Sequence, residues 1–209
     1  MNCEQKEPLA KLFLRSAVTA LAACLVLLGL ASKIMAFSQT PWYISAGFVS
    51  FYALMFFLLV FRYKTQEASL KPLHWLFAIS GTLLPLAMMS GLRLPILTGL
   101  SFPLELIGIC LSLIAIYTLG KSFGIIAAKR EIKTGGVYKI IRHPLYAGES
   151  LWFLSLILQN ISVFNLCLYA VQSACQIRRM LEEERLLRND ETYAQYMQEV
   201  PWRVIPGIF

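Results

Sequence analysis

Charge is scarce in this sequence of 209 residues, where Asp, Glu, Lys and Arg make up 15% against roughly 25% in soluble chains. Histidine is rarer still. His74 and His143 are the only two, which excludes a His-rich metal site and argues against a serine triad. The five cysteines, Cys3, Cys24, Cys110, Cys167 and Cys175, include no CxxC pair. Four of them lie in or beside apolar runs and read as small hydrophobes rather than disulfides or metal ligands. No GxGxxG, GxxxxGK or HExxH occurs, so the usual soluble nucleotide and zinc-hydrolase signals are missing.

What is present is apolar surface. Hydrophobic residues make up 57% of the chain and mean hydropathy is +0.62. Charge-free runs cover Ser16–Ser32, Ile34–Phe61 and Ser150–Ile177, and a helix needs about 20 such residues to cross a bilayer. The sequence therefore predicts a multi-span membrane protein, with spans at about 16–32, 43–61, 74–92 and 102–120. The first run has signal-peptide features but no convincing cleavage site after it, and is read as a retained span. Threading the chain through these spans puts seventeen of its nineteen basic residues on one side, leaving Lys33 and Arg93 on the other. The rich side is cytoplasmic, so both termini and the long loop are expected there. Anionic headgroups, rather than duplex DNA, are the natural partner of the +7 net charge.

Pro95, Gly99 and Pro103 predict a turn into the fourth span. Residues 121–144 are too charged to span, and Thr134-Gly135-Gly136-Val137 reads as a turn. From Leu145 to Ile177 the chain is apolar again. One straight helix of that length would reach about 50 Å, too long for the hydrocarbon core, and Gln159-Asn160-Ile161-Ser162 supplies turn chemistry midway. A helical hairpin is expected, its first arm Leu145–Leu158 buried at the tip by protein. A separate tail helix over roughly 176–189 follows, with Ile177, Met180, Leu181 and Leu187 on one face. Glu184 projects onto that face, while Glu182 and Glu183 point away. The segment 200–206 is expected to be extended.

The polar residues gather at Arg142, His143, Tyr146, Glu149, Glu183, Glu184 and Arg203. His143 could simply bond a backbone carbonyl, Tyr146 could be a membrane-belt aromatic, and Arg142 and Arg203 could hold lipid headgroups. Arg188 is an ordinary partner for Glu184 one helical turn away. Glu149 is harder to dismiss, because an ionisable group inside an apolar segment is costly and marks a functional candidate.

The motifs Leu119-Gly120-Lys121-Ser122-Phe123, Thr134-Gly135-Gly136-Val137-Tyr138 and Arg142-His143-Pro144-Leu145-Tyr146-Ala147-Gly148 are followed by Glu183-Glu184-Arg185-Leu186-Leu187, Tyr193-Ala194-Gln195-Tyr196 and Val200-Pro201-Trp202-Arg203-Val204-Ile205-Pro206. In this order they resemble the integral-membrane methyltransferases related to isoprenylcysteine carboxyl methyltransferase and the phospholipid N-methyltransferases. The resemblance covers about residues 117–209. Val137 departs from the family's usual proline, and the usual Phe-Gly before the tail tyrosines is absent.

The resemblance implies an all-α integral membrane protein of about five transmembrane elements, the last a hairpin, with a cytoplasmic C-terminal helix and tail. It implies one membrane domain over 1–209, with generic helices in 1–100 and the methyltransferase core in 101–209, in a bacterial inner membrane. The implied cofactor is S-adenosylmethionine, with His143, Leu145, Tyr146 and Gly148 lining its pocket and Glu183 and Glu184 bonding its polar groups. Glu149 or Glu184 would orient the cationic cofactor and Arg203 would position the acceptor, with no metal involved. The expected partner is a lipid or lipophilic acceptor, such as the carboxylate of a prenylcysteine-like substrate, and no nucleic acid. The alternatives are an NADPH-dependent membrane lipid or sterol reductase and a non-enzymatic membrane scaffold.

Overall fold

The computed structural model describes residues 84–89, 91–123 and 132–209, with shorter stretches and single positions between 20 and 81. The expected first two spans, and Lys129 and Arg130 of the loop, fall largely or wholly outside the described residues; the expected third span is described in its second half, where Leu84–Ala87 form a 3-10 turn rather than α-helix. Four α-helices have described bounds: α1 (Pro95–Leu119), α2 (Pro144–Gln159), α3 (Val163–Leu187) and α4 (Glu191–Glu199). Short 3-10 turns lie at Leu84–Ala87, Gly120–Ser122 and Gly136–Lys139. Among the described residues the only β pairing is the isolated bridge between Leu92 and Ile161.

Residues Pro95–Ser122 are long and apolar enough to cross a membrane. Within α1 the buried positions are Ser101, Glu105, Gly108, Ile109, Ser112, Ala115 and Ile116, while Leu100, Ile107, Ile114 and Tyr117 are exposed. A soluble helix buries its apolar stripe; here the buried stripe is mostly small and polar, with Ile109 and Ile116 among it, and several large apolar residues face outward, as suits membrane packing. The partner of that stripe is α2. A Cβ on Gly108 would lie 2.6 Å from the backbone nitrogen of Trp152 and 2.8 Å from the carbonyl of Gly148, so the two backbones touch.

Helix α1 starts seven residues earlier than the sequence suggested, because its prolines do not break it. Pro95 occupies the first turn, where its missing N–H would have no partner anyway. Pro103 lies inside, where the helix forgoes the one backbone bond to the Gly99 carbonyl that its missing N–H would make. The Thr98 and Ser101 hydroxyls donate to the Leu94 and Thr98 carbonyls at 3.1 and 2.7 Å.

The hairpin turn falls at residues 160–162, as expected, and its tip is locked by protein. The polar groups there are used: Asn165 Nδ2 donates to the carbonyls of Met89 and Asn160, and Met89 N donates to Asn165 Oδ1. Leu92 and Ile161 exchange backbone bonds of 2.8 and 3.0 Å, and Gln159 Nε2 donates to Glu105 Oε2 at 2.9 Å. The second arm differs from expectation. Instead of ending near Ile177 and giving way to a separate helix, α3 runs unbroken to Leu187, since no Gly or Pro interrupts 163–187. Its last ten residues carry six charges and extend beyond its apolar part. Asp190 caps α4 by accepting from Thr192 N and Tyr193 N. The chain after it is not helical, as expected, and lies against the start of α2: Arg142 N donates to Trp202 O at 2.9 Å and His143 N to Arg203 O at 2.8 Å.

Candidate active site

Where α1 ends and α2 begins, a cavity opens with about 850 Å³ of empty space, including open solvent at its mouth. Leu119, Phe123, Ile132, Leu145 and Leu187 give it apolar walls, and Tyr138, Tyr146, Tyr193 and Tyr196 bring phenol rings. Its charged lining is Lys133, Arg142, Arg179 and Glu183, joined by His143 and Ser122.

Glu184 is the electrostatic centre beside this cavity, and it is already engaged. The residue is 3% exposed. Its Oε1 accepts from Arg142 Nε at 3.0 Å and Nη2 at 2.9 Å, its Oε2 accepts from Arg203 Nε at 2.9 Å, and His143 Nε2 lies 3.1 Å from Oε1. Arg142 also donates through Nη1 to the carbonyls of Val200 and Pro201. Burial alone would push the Glu184 carboxyl up, but hydrogen bonds and charge from His143 and Arg142 outweigh it and hold the group at about 2. One carboxylate thus ties the start of α2, the end of α3 and the tail together.

Glu183, expected to point away, lines the cavity instead. It lies beside Tyr146, with which it shares the cavity wall, and its Oε2 is 4.0 Å from His143 Nδ1. The Tyr146 ring carries the Arg179 guanidinium 5.2 Å from its centroid, and the His143 ring is 5.6 Å away. Arg179 Nη1 donates to Gln176 Oε1 at 2.8 Å, and Gln176 Nε2 donates to Glu149. Glu149 is therefore absent from the cavity wall but connected to it through one amide. Tyr196 donates from its hydroxyl to Tyr138 O at 2.6 Å. Burial pushes the Tyr196 phenol up to about 12, and burial followed by nearby carboxylate charge raises Tyr138 and Tyr193. All three are neutral hydrogen-bond donors at physiological pH.

Residues 97–195 match the family model described as phospholipid methyltransferase. The match spans just under half of the chain, and that segment is similar to the phospholipid methyltransferase family. The expected resemblance, and with it methyl transfer as the class of reaction, is borne out. The chain is also similar to a solved structure of the eukaryotic intramembrane Ras methyltransferase, isoprenylcysteine carboxyl methyltransferase. The two are 22% identical over 88% of this chain and 73% of that one, with a TM-score of 0.47. No curated protein matches the chain in sequence.

The matched segment contains every cavity-lining residue except Tyr196. Of the residues singled out from sequence, His143, Leu145, Tyr146 and Glu183 line the cavity. Glu184 lies behind them in its basic cage. Gly148 faces α1, where a Cβ would collide with Ser112 Oγ. Arg203 stands outside the matched segment, between Glu184 and the Phe209 ring, whose centroid is 5.1 Å from its guanidinium. Sequence reasoning missed Lys133, Arg179 and Ser122. Arg179 was findable, since it sits four residues before Glu183 and shares its helix face. Ser122 stood in a quoted motif without a role; its buried Oγ has no hydrogen-bond partner and lines the cavity.

Proposed function

We propose that this protein transfers a methyl group from S-adenosylmethionine to a lipophilic, membrane-held acceptor. The observation that carries this reading is the convergence of Glu183, Tyr146, Arg179 and the tyrosine-lined apolar wall on one cavity at the end of the apolar helix α1. The lining suits the group. Aromatic and aliphatic walls accept an adenine ring, Glu183 complements an ammonium or sulfonium, and Lys133 complements a carboxylate. Ser122 Oγ offers a buried hydrogen-bonding position without a protein partner.

When bound, the cofactor supplies an electrophilic methyl carbon on a sulfonium. This chain's residues then need to align the acceptor with that carbon and exclude water. His143, Leu145, Tyr146 and Glu183 surround the cofactor in this reading. Gly148 lets the α2 wall approach α1, and Glu184 with Arg203 fixes the tail. The acceptor-positioning role first considered for Arg203 passes to Arg179, which reaches the cavity while Arg203 is bonded to Glu184. Glu149 acts through Gln176 on Arg179. A carboxylate acceptor such as that of a prenylcysteine-like substrate meets cations at Arg179 and Lys133 and needs no general base, since charge is neutralised as the bond forms.

The topology that accompanies this reading has about five transmembrane elements, with the cavity, loop and tail on the cytoplasmic side of a bacterial inner membrane. The chain forms one membrane domain with its core in 101–209. A reductase using NADPH needs room for a second nucleotide half, and a scaffold needs no convergence of ionisable groups. The test is an assay of the full chain in lipid nanodiscs with methyl-labelled S-adenosylmethionine and a panel of lipid amines, thiols and prenylcysteine carboxylates. Label should pass to one acceptor class, and excess NADPH should not suppress it. Suppression by NADPH with no label transferred would overturn the assignment.

A further inference from the structure

The tail beyond the cavity has an architecture that methyl transfer does not explain. Residues 204–209 fold back on themselves: Val204 N and Ile205 N donate to Phe209 O at 2.8 and 2.9 Å, and Phe209 N donates to Ile205 O at 3.0 Å. Gly207, at φ +81°, makes this reversal in a conformation that L side chains rarely adopt. The loop thus satisfies much of its own backbone while turning its side chains outward. Ile208 is 76% exposed, and Ile205, Phe209 and Trp202 are also exposed. Ile140, next to the start of α2, adds a fifth exposed apolar residue. Basic groups interleave with them: Lys139 is exposed and Arg203 covers the Phe209 ring.

The position of this cluster follows from its hydrogen bonds. Trp202 and Arg203 pair with Arg142 and His143, which line the same cavity as Leu119, Ser122 and Phe123, and those residues mark the end of the apolar helix Pro95–Ser122. The loop therefore lies at the level where α1 leaves the hydrocarbon. A protein surface exposes single apolar residues routinely, but five gathered at one level with basic neighbours call for a partner. A bilayer interface accepts apolar and aromatic side chains beside Lys and Arg, and it admits only backbone that is internally bonded. We infer that the 204–209 loop, with Trp202 and Ile140, is an interfacial anchor whose partner is the phospholipid leaflet on the cavity side. Because the same strand of chain is bonded to Glu184, Arg142 and His143, the anchor fixes the cavity's outer wall to the membrane surface.

The test uses the full chain in phosphatidylcholine nanodiscs, with and without bromine on the shallow acyl carbons, and takes the fluorescence of Trp202 as the difference between wild type and W202F. The Trp202 component should lose roughly half its intensity or more in brominated lipid and be shielded from aqueous acrylamide, as expected of an interfacial indole. The double change I205S/I208S, at two exposed positions, should restore most of that intensity. Two results would overturn the anchor: a Trp202 component untouched by bromine, whether open to acrylamide or covered by a second copy of the chain, and quenching that persists unchanged in I205S/I208S.

Discussion

Glu184 shows how little a residue's exposure or sequence neighbours reveal about its task. Its inward direction followed from helical periodicity with Met180 and Leu187, but its partners did not. Arg142 and His143 come from more than forty residues upstream, and Arg203 from a tail segment nineteen residues later. The nearby Arg188 was the only partner local reasoning could supply. With its carboxyl held at about 2 rather than the ordinary 4.5, Glu184 contributes stability that is fully present above pH 4.5 and is lost as pH falls through 4.5 toward 2. Glu184→Gln leaves Arg142 buried without its countercharge and should cost about 3 kcal/mol, read as a lower midpoint in denaturant unfolding at pH 7. The same variant should show a flatter acid profile between pH 5 and 2 than wild type. Identical acid profiles would remove Glu184 from its place as the main acid-sensitive link.

At the scale of elements, the α1–α2 contact is set by glycine, and the two glycines of α1 make opposite predictions. A side chain at Gly108 meets backbone atoms of α2 at 2.6 and 2.8 Å, and backbone cannot swing aside as a flexible side chain can. Gly108→Val should therefore lower stability by about 1–3 kcal/mol or prevent the helices from docking. A Cβ at Gly99 meets nothing within 4 Å, so Gly99→Ala should be neutral or stabilising by up to about 1 kcal/mol. Thermal melts of both variants in one detergent check the pair, and equal melting points would contradict the close approach.

The elements themselves were unevenly legible. The hairpin was readable because Asn160 and Ser162 combine turn chemistry with a run too long to span straight. The start of α1 was not, because Pro95 and Pro103 look like breakers until their helix positions are known. The continuity of α3 was hidden by a change in its surroundings rather than in its backbone. Its apolar part stops near Ile177, while its helical hydrogen bonding continues to Leu187. That continuity matters to the site, for it carries Arg179, Glu183 and Glu184 rigidly from the hairpin to the cavity.

Across the described residues, one end of the α1–α2 pair, the described end of the basic loop and a folded-back tail close around one polar cavity. Polarity is distributed accordingly: outward-facing apolar residues on α1, mostly small residues between α1 and α2, and charge gathered at the cavity end. Such an arrangement lets a lipophilic acceptor and a water-soluble cofactor meet without either crossing the other's medium. The claim that joins these features is that S-adenosylmethionine occupies the cavity beside Tyr146 and Glu183. It is tested most directly by isothermal calorimetry of the cofactor into the purified full chain in nanodiscs, comparing wild type with Glu183→Gln and Tyr146→Phe. The account predicts saturable one-site binding to wild type, weakened about tenfold, or about 1.4 kcal/mol, by Glu183→Gln, and weakened measurably by Tyr146→Phe. Absence of binding to folded wild type, or affinity unchanged in both variants, would contradict it.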